Sequence, residues 1–147
     1  MLSPAGAALL EASRRAVLAT IAASGRARLV PIAYAVDLDG GVLYSALDEK
    51  AKSVADPREL ARVRDVLARP QVSVLVDRWS EDWSELAWLR LDGEASILEP
   101  SDPAGAAEHA HAVGLLRRRY PQYADQRLEE RPILRVALAR ATSWAAR

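Results

Sequence analysis

The only two lysines of the chain, Lys50 and Lys52, stand two residues apart in the stretch Tyr44-Ser45-Ala46-Leu47-Asp48-Glu49-Lys50-Ala51-Lys52-Ser53, whereas every other cationic side chain is arginine. A strand ending in small polar residues, then paired ammonium groups, then an arginine-studded helical segment, is one way to hold a phosphorylated ligand by point charges and exposed backbone N–H groups. The same spacing also fits two lysines on a solvated turn, with arginine dominating elsewhere through codon bias. Other reactive groups are few. With no cysteine, thiolate nucleophiles, disulfides and zinc–thiolate centres are excluded. His109 and His111 are the only histidines. Two apart in an expected helix, they point about 200° from one another and cannot share a metal. No Ser-His-Asp arrangement can be assembled, and no metal site is expected. Tyr34 is a candidate proton donor, although a tyrosine on a strand is more often a packed side chain with a satisfied hydroxyl.

The elements that must position these groups come from a chain of 147 residues, 50% hydrophobic, enough for one domain spanning 1–147 with a real core. The formal net charge is zero and the sequence pI is about 6.7, so no global field draws the protein to nucleic acid or to an anionic membrane. Ser13-Arg14-Arg15 followed by Ala16 to Ala23 has the outline of an export signal. That apolar run is too short to span a bilayer, is β-branched at Val17, Thr20 and Ile21, and leads straight into a turn; it reads as a first strand. No other stretch approaches spanning length, and a soluble, cytoplasmic protein is expected.

Ser3-Pro4 opens a short helix to about Ser13, with serine at the cap and proline in the first turn. Ala16 to Ala22 and Ala27 to Asp37 read as a β-hairpin around Gly25, with Pro31 marking an edge, a bulge or a place where backbone faces a ligand. A tight turn at Leu38-Asp39-Gly40-Gly41 leads to a third strand, Val42 to Ala46. From Asp56-Pro57 to Arg69, Leu60, Val63, Val66 and Leu67 recur at helical spacing between arginines. Val72 to Asp77 is a strand expected to be covered on both faces. Leu86 to Leu98 is a long strand with a bulge at Asp92-Gly93, Trp88 and Arg90 on one face and Leu89 and Leu91 on the other. A helix follows Pro100-Ser101-Asp102-Pro103 to about Arg119, whose Arg117-Arg118-Arg119 end is expected in solvent, and a last strand runs from Ile133 to about Ser143. Six strands and inserted helices make an all-β core, a small antiparallel barrel with peripheral helices.

This order resembles the split-barrel superfamily that includes pyridoxamine 5′-phosphate oxidase. The residues that carry the likeness are Gly25 to Tyr34, Tyr44-Ser45-Ala46 leading to Lys50-Ala51-Lys52, and Arg64 to Asp77. Within it the chain is similar to the branch using the deazaflavin coenzyme F-420, through Asp82-Trp83 and Trp88-Leu89-Arg90-Leu91-Asp92-Gly93. The resemblance implies a six-stranded split β-barrel of the FMN-binding type and a homodimer with two cofactor sites between subunits. It implies that Lys50, Lys52 and Arg64 hold the phosphate-bearing tail of the coenzyme. Pro31, Ile32, Ala33, Tyr34, Ser45, Ala46, Leu47, Val76 and Asp77 would line its ring system, largely through backbone groups and small side chains. The implied activity is hydride transfer between reduced F-420 and a small organic substrate. An FMN-binding oxidase-like protein and a non-catalytic coenzyme carrier are the alternatives. Trp79, Trp83 and Trp88 fit stacking on the ring, walling the substrate pocket or packing in a dimer interface, Trp144 interface or core packing, and Arg90 an acidic partner across the interface or the coenzyme tail; Arg58 carries no assigned role.

Overall fold

In the computed structural model, which describes residues 2–47 and 56–147, the segment expected as one strand from Ala27 to Asp37 is two strands. The sheet comprises β1 (Ala16–Ile21), β2 (Ala27–Ile32), β3 (Ala35–Asp37), β4 (Val42–Ala46), β5 (Gln71–Arg78), β6 (Ala87–Leu98) and β7 (Ile133–Ala145). Their order is β2-β1-β5-β6-β7-β4-β3, all pairs antiparallel. β2 and β3 are therefore neighbours in sequence, separated by Ala33 and Tyr34, yet stand at opposite ends of the sheet. Two linking residues reach no further than about 10 Å, so the sheet has to curl until its two edges face each other. The result is a barrel left split between β2 and β3, and the strand count becomes seven instead of six for this reason.

Leaving the ladder at the split frees backbone polar groups that must find partners when buried. Tyr120 Oη accepts from the Tyr34 N–H at 3.0 Å, and Ser45 Oγ donates to the Ala33 carbonyl at 2.8 Å. Pro31 lies opposite Val17 on β2, the outermost strand, where its missing N–H costs little. At the other end of the hairpin, Gly25 takes φ +87° and its N–H closes the turn on the Ala22 carbonyl at 2.8 Å.

Alternate strand residues fill the interior: Leu18, Val74, Leu89, Leu91, Leu134 and Val136 are all at most 1% exposed. Helix α1 (Pro4–Ala12), capped by Ser3 Oγ accepting from the Gly6 N–H at 3.0 Å, covers one end with Leu9 and Leu10. Helix α3 (Ala106–Arg119) packs Ala112, Val113 and Leu116 in one cluster with Val42 and Tyr44. The helix expected from Asp56 begins later, as α2 (Ala61–Ala68), because Leu60 is extended at ψ 140° after a single 3-10 turn at Pro57–Glu59. The Asp92/Gly93 bulge is present, and a Cβ on Gly93 would sit 2.3 Å from the Ala137 carbonyl oxygen, a position only glycine can hold. Strand β5 is not covered on both faces: Val72, Val74 and Val76 are buried while Gln71, Leu75 and Asp77 are exposed. The described helices leave that outer side open. Among the described residues no helix is long and apolar enough to cross a membrane.

Candidate cofactor site

The strand register places Pro31, Val17, Leu75, Arg90 and Thr142 in one cross-strand row. Residues directly opposite in an antiparallel sheet share a face, and this is the outer one. A second row holds Leu29, Ala19, Ser73 and Asp92, and a third Asp77, Trp88 and Trp144. The outer face of β2-β1-β5-β6-β7 is thus mostly apolar, and it includes Leu29 at 66% and Leu75 at 40% exposure.

Alternation decides where the expected ring-lining residues point. Pro31, Ala33 and Asp77 reach the surface, while Ile32, Tyr34 and Val76 turn inward. Ser45, Ala46 and Leu47, at the end of β4, are all buried. The Ser45–Ala33 hydrogen bond brings the end of β4 to the end of β2 across the split, so these two segments meet. Val76 and Asp77 are set apart from them by β1. Tyr34 is packed: its hydroxyl lies 2.5 Å from the Leu10 carbonyl and 3.1 Å from that of Ser13, and burial pushes its pKa up to about 12. It is not placed to act as an acid toward the outer face.

Lys50 and Lys52 lie outside the described residues. Leu47, the last described residue before them, packs in one cluster with Leu60 and Val63. Arg64 is an exposed side chain on α2. The helix is held to the hairpin by Asp65, whose Oδ2 accepts from Thr20 Oγ1 and Arg28 Nε, each at 2.7 Å. Burial pushes the Asp65 pKa up, but the bonds from Arg28 and Thr20 outweigh it and leave the carboxylate below its usual range. Arg28 is three residues from Pro31 on β2, about 10 Å of strand. Arg64 on α2 could meet an anionic group, and the backbone near Pro31 on β2 a polar ring. Because β2 is the terminal strand, one of its edges is paired with no other described strand, leaving backbone groups available to a polar ring edge.

Two hollows join expected site residues to others that the sequence did not single out for the site. One, of about 440 Å³, adjoins Pro31, Ile32 and Ala33 and is closed by Arg14, Arg15, Tyr120 and Tyr123. The other, of about 530 Å³, runs past Asp77 and is walled by Trp79, Trp88, Trp144 and Arg90. The alternating Trp88-Arg90 pattern was the available signal for the second; nothing in the sequence linked the Tyr120 region to Pro31. Arg58 is a bidentate partner of Glu99, at 2.9 and 2.6 Å. The Arg117–Arg119 run is not simply solvated. Arg117 pairs with Glu129, and Arg119 donates to the Leu10, Glu11 and Ser13 carbonyls that end α1.

Solved structures share this arrangement. A haem storage protein from Vibrio cholerae is 16% identical with TM-score 0.69, covering 98% of this chain and 94% of its own. An FAD-binding protein from Mesorhizobium loti is 22% identical with TM-score 0.67, covering 97% and 94%. An F-420 reductase is 23% identical with TM-score 0.60, covering 92% and 94%. At these identities the likeness shows the fold. No curated protein matches the sequence. The family model described as pyridoxamine 5′-phosphate oxidase matches residues 2–145, nearly the whole chain, and the protein belongs to that family.

Proposed function

We propose that the protein is a cytoplasmic oxidoreductase that works with coenzyme F-420 and a small organic substrate, as a homodimer whose two sites lie between subunits. The observation that supports this reading is the open, mostly apolar outer face of β2-β1-β5, together with the exposed Arg64 on α2, a helix tied to β1 and β2 through Asp65. Lys50, Lys52 and Arg64 hold the phosphate-bearing tail. Pro31, Ala33 and Asp77, with the backbone of Ile32, Tyr34, Ser45, Ala46, Leu47 and Val76, border the ring. When bound, the reduced deazaflavin supplies a hydride, so the protein's own work is to position the ring against its acceptor and to keep water out. A second copy set over β2 and β1 performs the latter. No side chain is assigned as catalytic, and the proton that completes reduction of the acceptor comes from solvent.

The FMN reading draws on the FAD-binding relative and on the fact that the same cations suit an FMN phosphate. A haem reading draws no support from the histidines, whose Nε2 atoms contact the Arg131 carbonyl at 2.6 Å (His109) and Asp37 at 3.1 Å (His111). The test is to purify the protein, measure any bound flavin, titrate F-420 and FMN, and follow oxidation of reduced F-420 with a panel of conjugated acceptors. Tight F-420 binding with turnover is expected. FMN bound stoichiometrically with no F-420 affinity would replace the reading with the flavoprotein one, and F-420 binding without turnover on any acceptor would leave a carrier.

A further inference from the structure

The groove of about 530 Å³ beside Asp77 lies within the size range of small-molecule sites, about 300–1,000 Å³. Its floor is Leu75 and Trp88, and Trp79 and Trp144 stand over it, exposed by 66% and 47%. Three indoles on one hollow are a costly surface to leave bare and a good one for a flat conjugated ligand. The polar groups are unequal. Arg78 is engaged, its Nε donating to the Glu85 carbonyl at 2.6 Å and so fixing the connection that carries Trp79. Asp92 accepts from Ser73 Oγ at 2.6 Å, and Arg90 Nε forms an ion pair with Asp92 Oδ1 at 3.6 Å, a charge contact longer than a hydrogen bond. Arg90 makes no hydrogen bond to another described residue, and it lines the groove beside Leu75 and Trp88. Asp77 sits one row away on the outer face, opposite Trp88.

We infer that this groove is a binding site for a flat conjugated or aromatic carboxylic acid. The ring or conjugated chain lies on Leu75, Trp88 and Trp144, and the carboxylate takes the Arg90 donors that its ion pair with Asp92 leaves without a hydrogen bond, as guanidinium groups bind carboxylates in a bidentate fork. Asp77 repels a second acidic group at the opposite end, so the site favours monoacids and orients them with the carboxylate toward Arg90. As the substrate site of the enzyme this rests on the coenzyme reading above; as a ligand site it stands alone. It borders Asp77, which the coenzyme ring also reaches in that reading, so the conjugated acid lies next to the hydride donor.

The experiment uses full-length protein without added coenzyme, with cinnamate and its neutral counterpart cinnamyl alcohol as probes, read by tryptophan fluorescence and calorimetry. Cinnamate is expected to bind and quench, and the alcohol to bind at least about tenfold more weakly. Arg90→Gln should weaken cinnamate at least about tenfold and leave the alcohol unchanged, with Arg90→Lys intermediate. Circular dichroism confirms that the exposed substitutions leave the fold intact. Equal affinity for acid and alcohol, no effect of Arg90→Gln, or no cinnamate binding at millimolar concentration because a second copy fills the groove would each overturn the inference. Cinnamate binding by a protein that fails to bind F-420 keeps the groove and rejects the coenzyme reading, and the converse result does the reverse.

Discussion

Individual side chains divide into those that hold the scaffold and those left open to a ligand, and the first group yields the sharper stability predictions. Gly93→Ala must push a methyl group into the Ala137 carbonyl, 2.3 Å away, and is expected to cost about 2–3 kcal/mol, measured by urea unfolding. An unchanged midpoint would mean that β6 and β7 approach less closely than described. Asp65→Asn removes the charge shared by Thr20 and Arg28 and should cost about 2 kcal/mol near neutral pH, a figure moderated by the partial exposure of Arg28. Because the folded pKa of Asp65 is depressed, its contribution is complete above the ordinary carboxylate value of about 4 and disappears as pH falls through the lower folded value. The gap between wild type and Asp65→Asn should therefore narrow in acid, and a gap that widens below pH about 4 would contradict this assignment.

Among the elements, the bend at Ala33-Tyr34 has the largest consequence, since it sends two halves of one expected strand to opposite sheet edges. Tyr120→Phe leaves the Tyr34 N–H without its partner across the split and is expected to cost about 1–3 kcal/mol, with faster hydrogen exchange at the Tyr34 amide. Unaltered exchange there would show that another group satisfies the amide. Most elements were legible from local pattern: the Ser3-Pro4 cap, the Gly25 hairpin, the Asp92-Gly93 bulge and the buried Leu89/Leu91 face all depend on near neighbours. The strand break was not, because Tyr34 is held by Tyr120 and Leu10, contacts remote in sequence. The open face of β5 escaped for the same reason: Val72 to Val76 reads as a buried strand, yet what covers Leu75 depends on where the helices dock. Of the candidate site, the segments around Pro31 and Asp77 could be named from the family likeness, but which side chains point outward came only from the register.

At the scale of the whole molecule, the apolar outer face and the dimer proposed on it predict a particle of about twice the 16.0 kDa chain mass in sedimentation. Leu29→Arg, at an exposed position far from the core, should shift that particle toward monomer while circular dichroism stays unchanged. A wild-type protein that sediments as a monomer at micromolar concentration would remove the proposed seam between subunits. The central claim, an anionic coenzyme tail clamped by Lys50, Lys52 and Arg64, is tested most directly by titrating F-420 into wild type and into the Lys50→Ala/Lys52→Ala double variant. Loss of at least about 2 kcal/mol, roughly thirtyfold in affinity, is predicted if each ammonium group makes a charge-assisted bond. Equal affinity in the two proteins would contradict it.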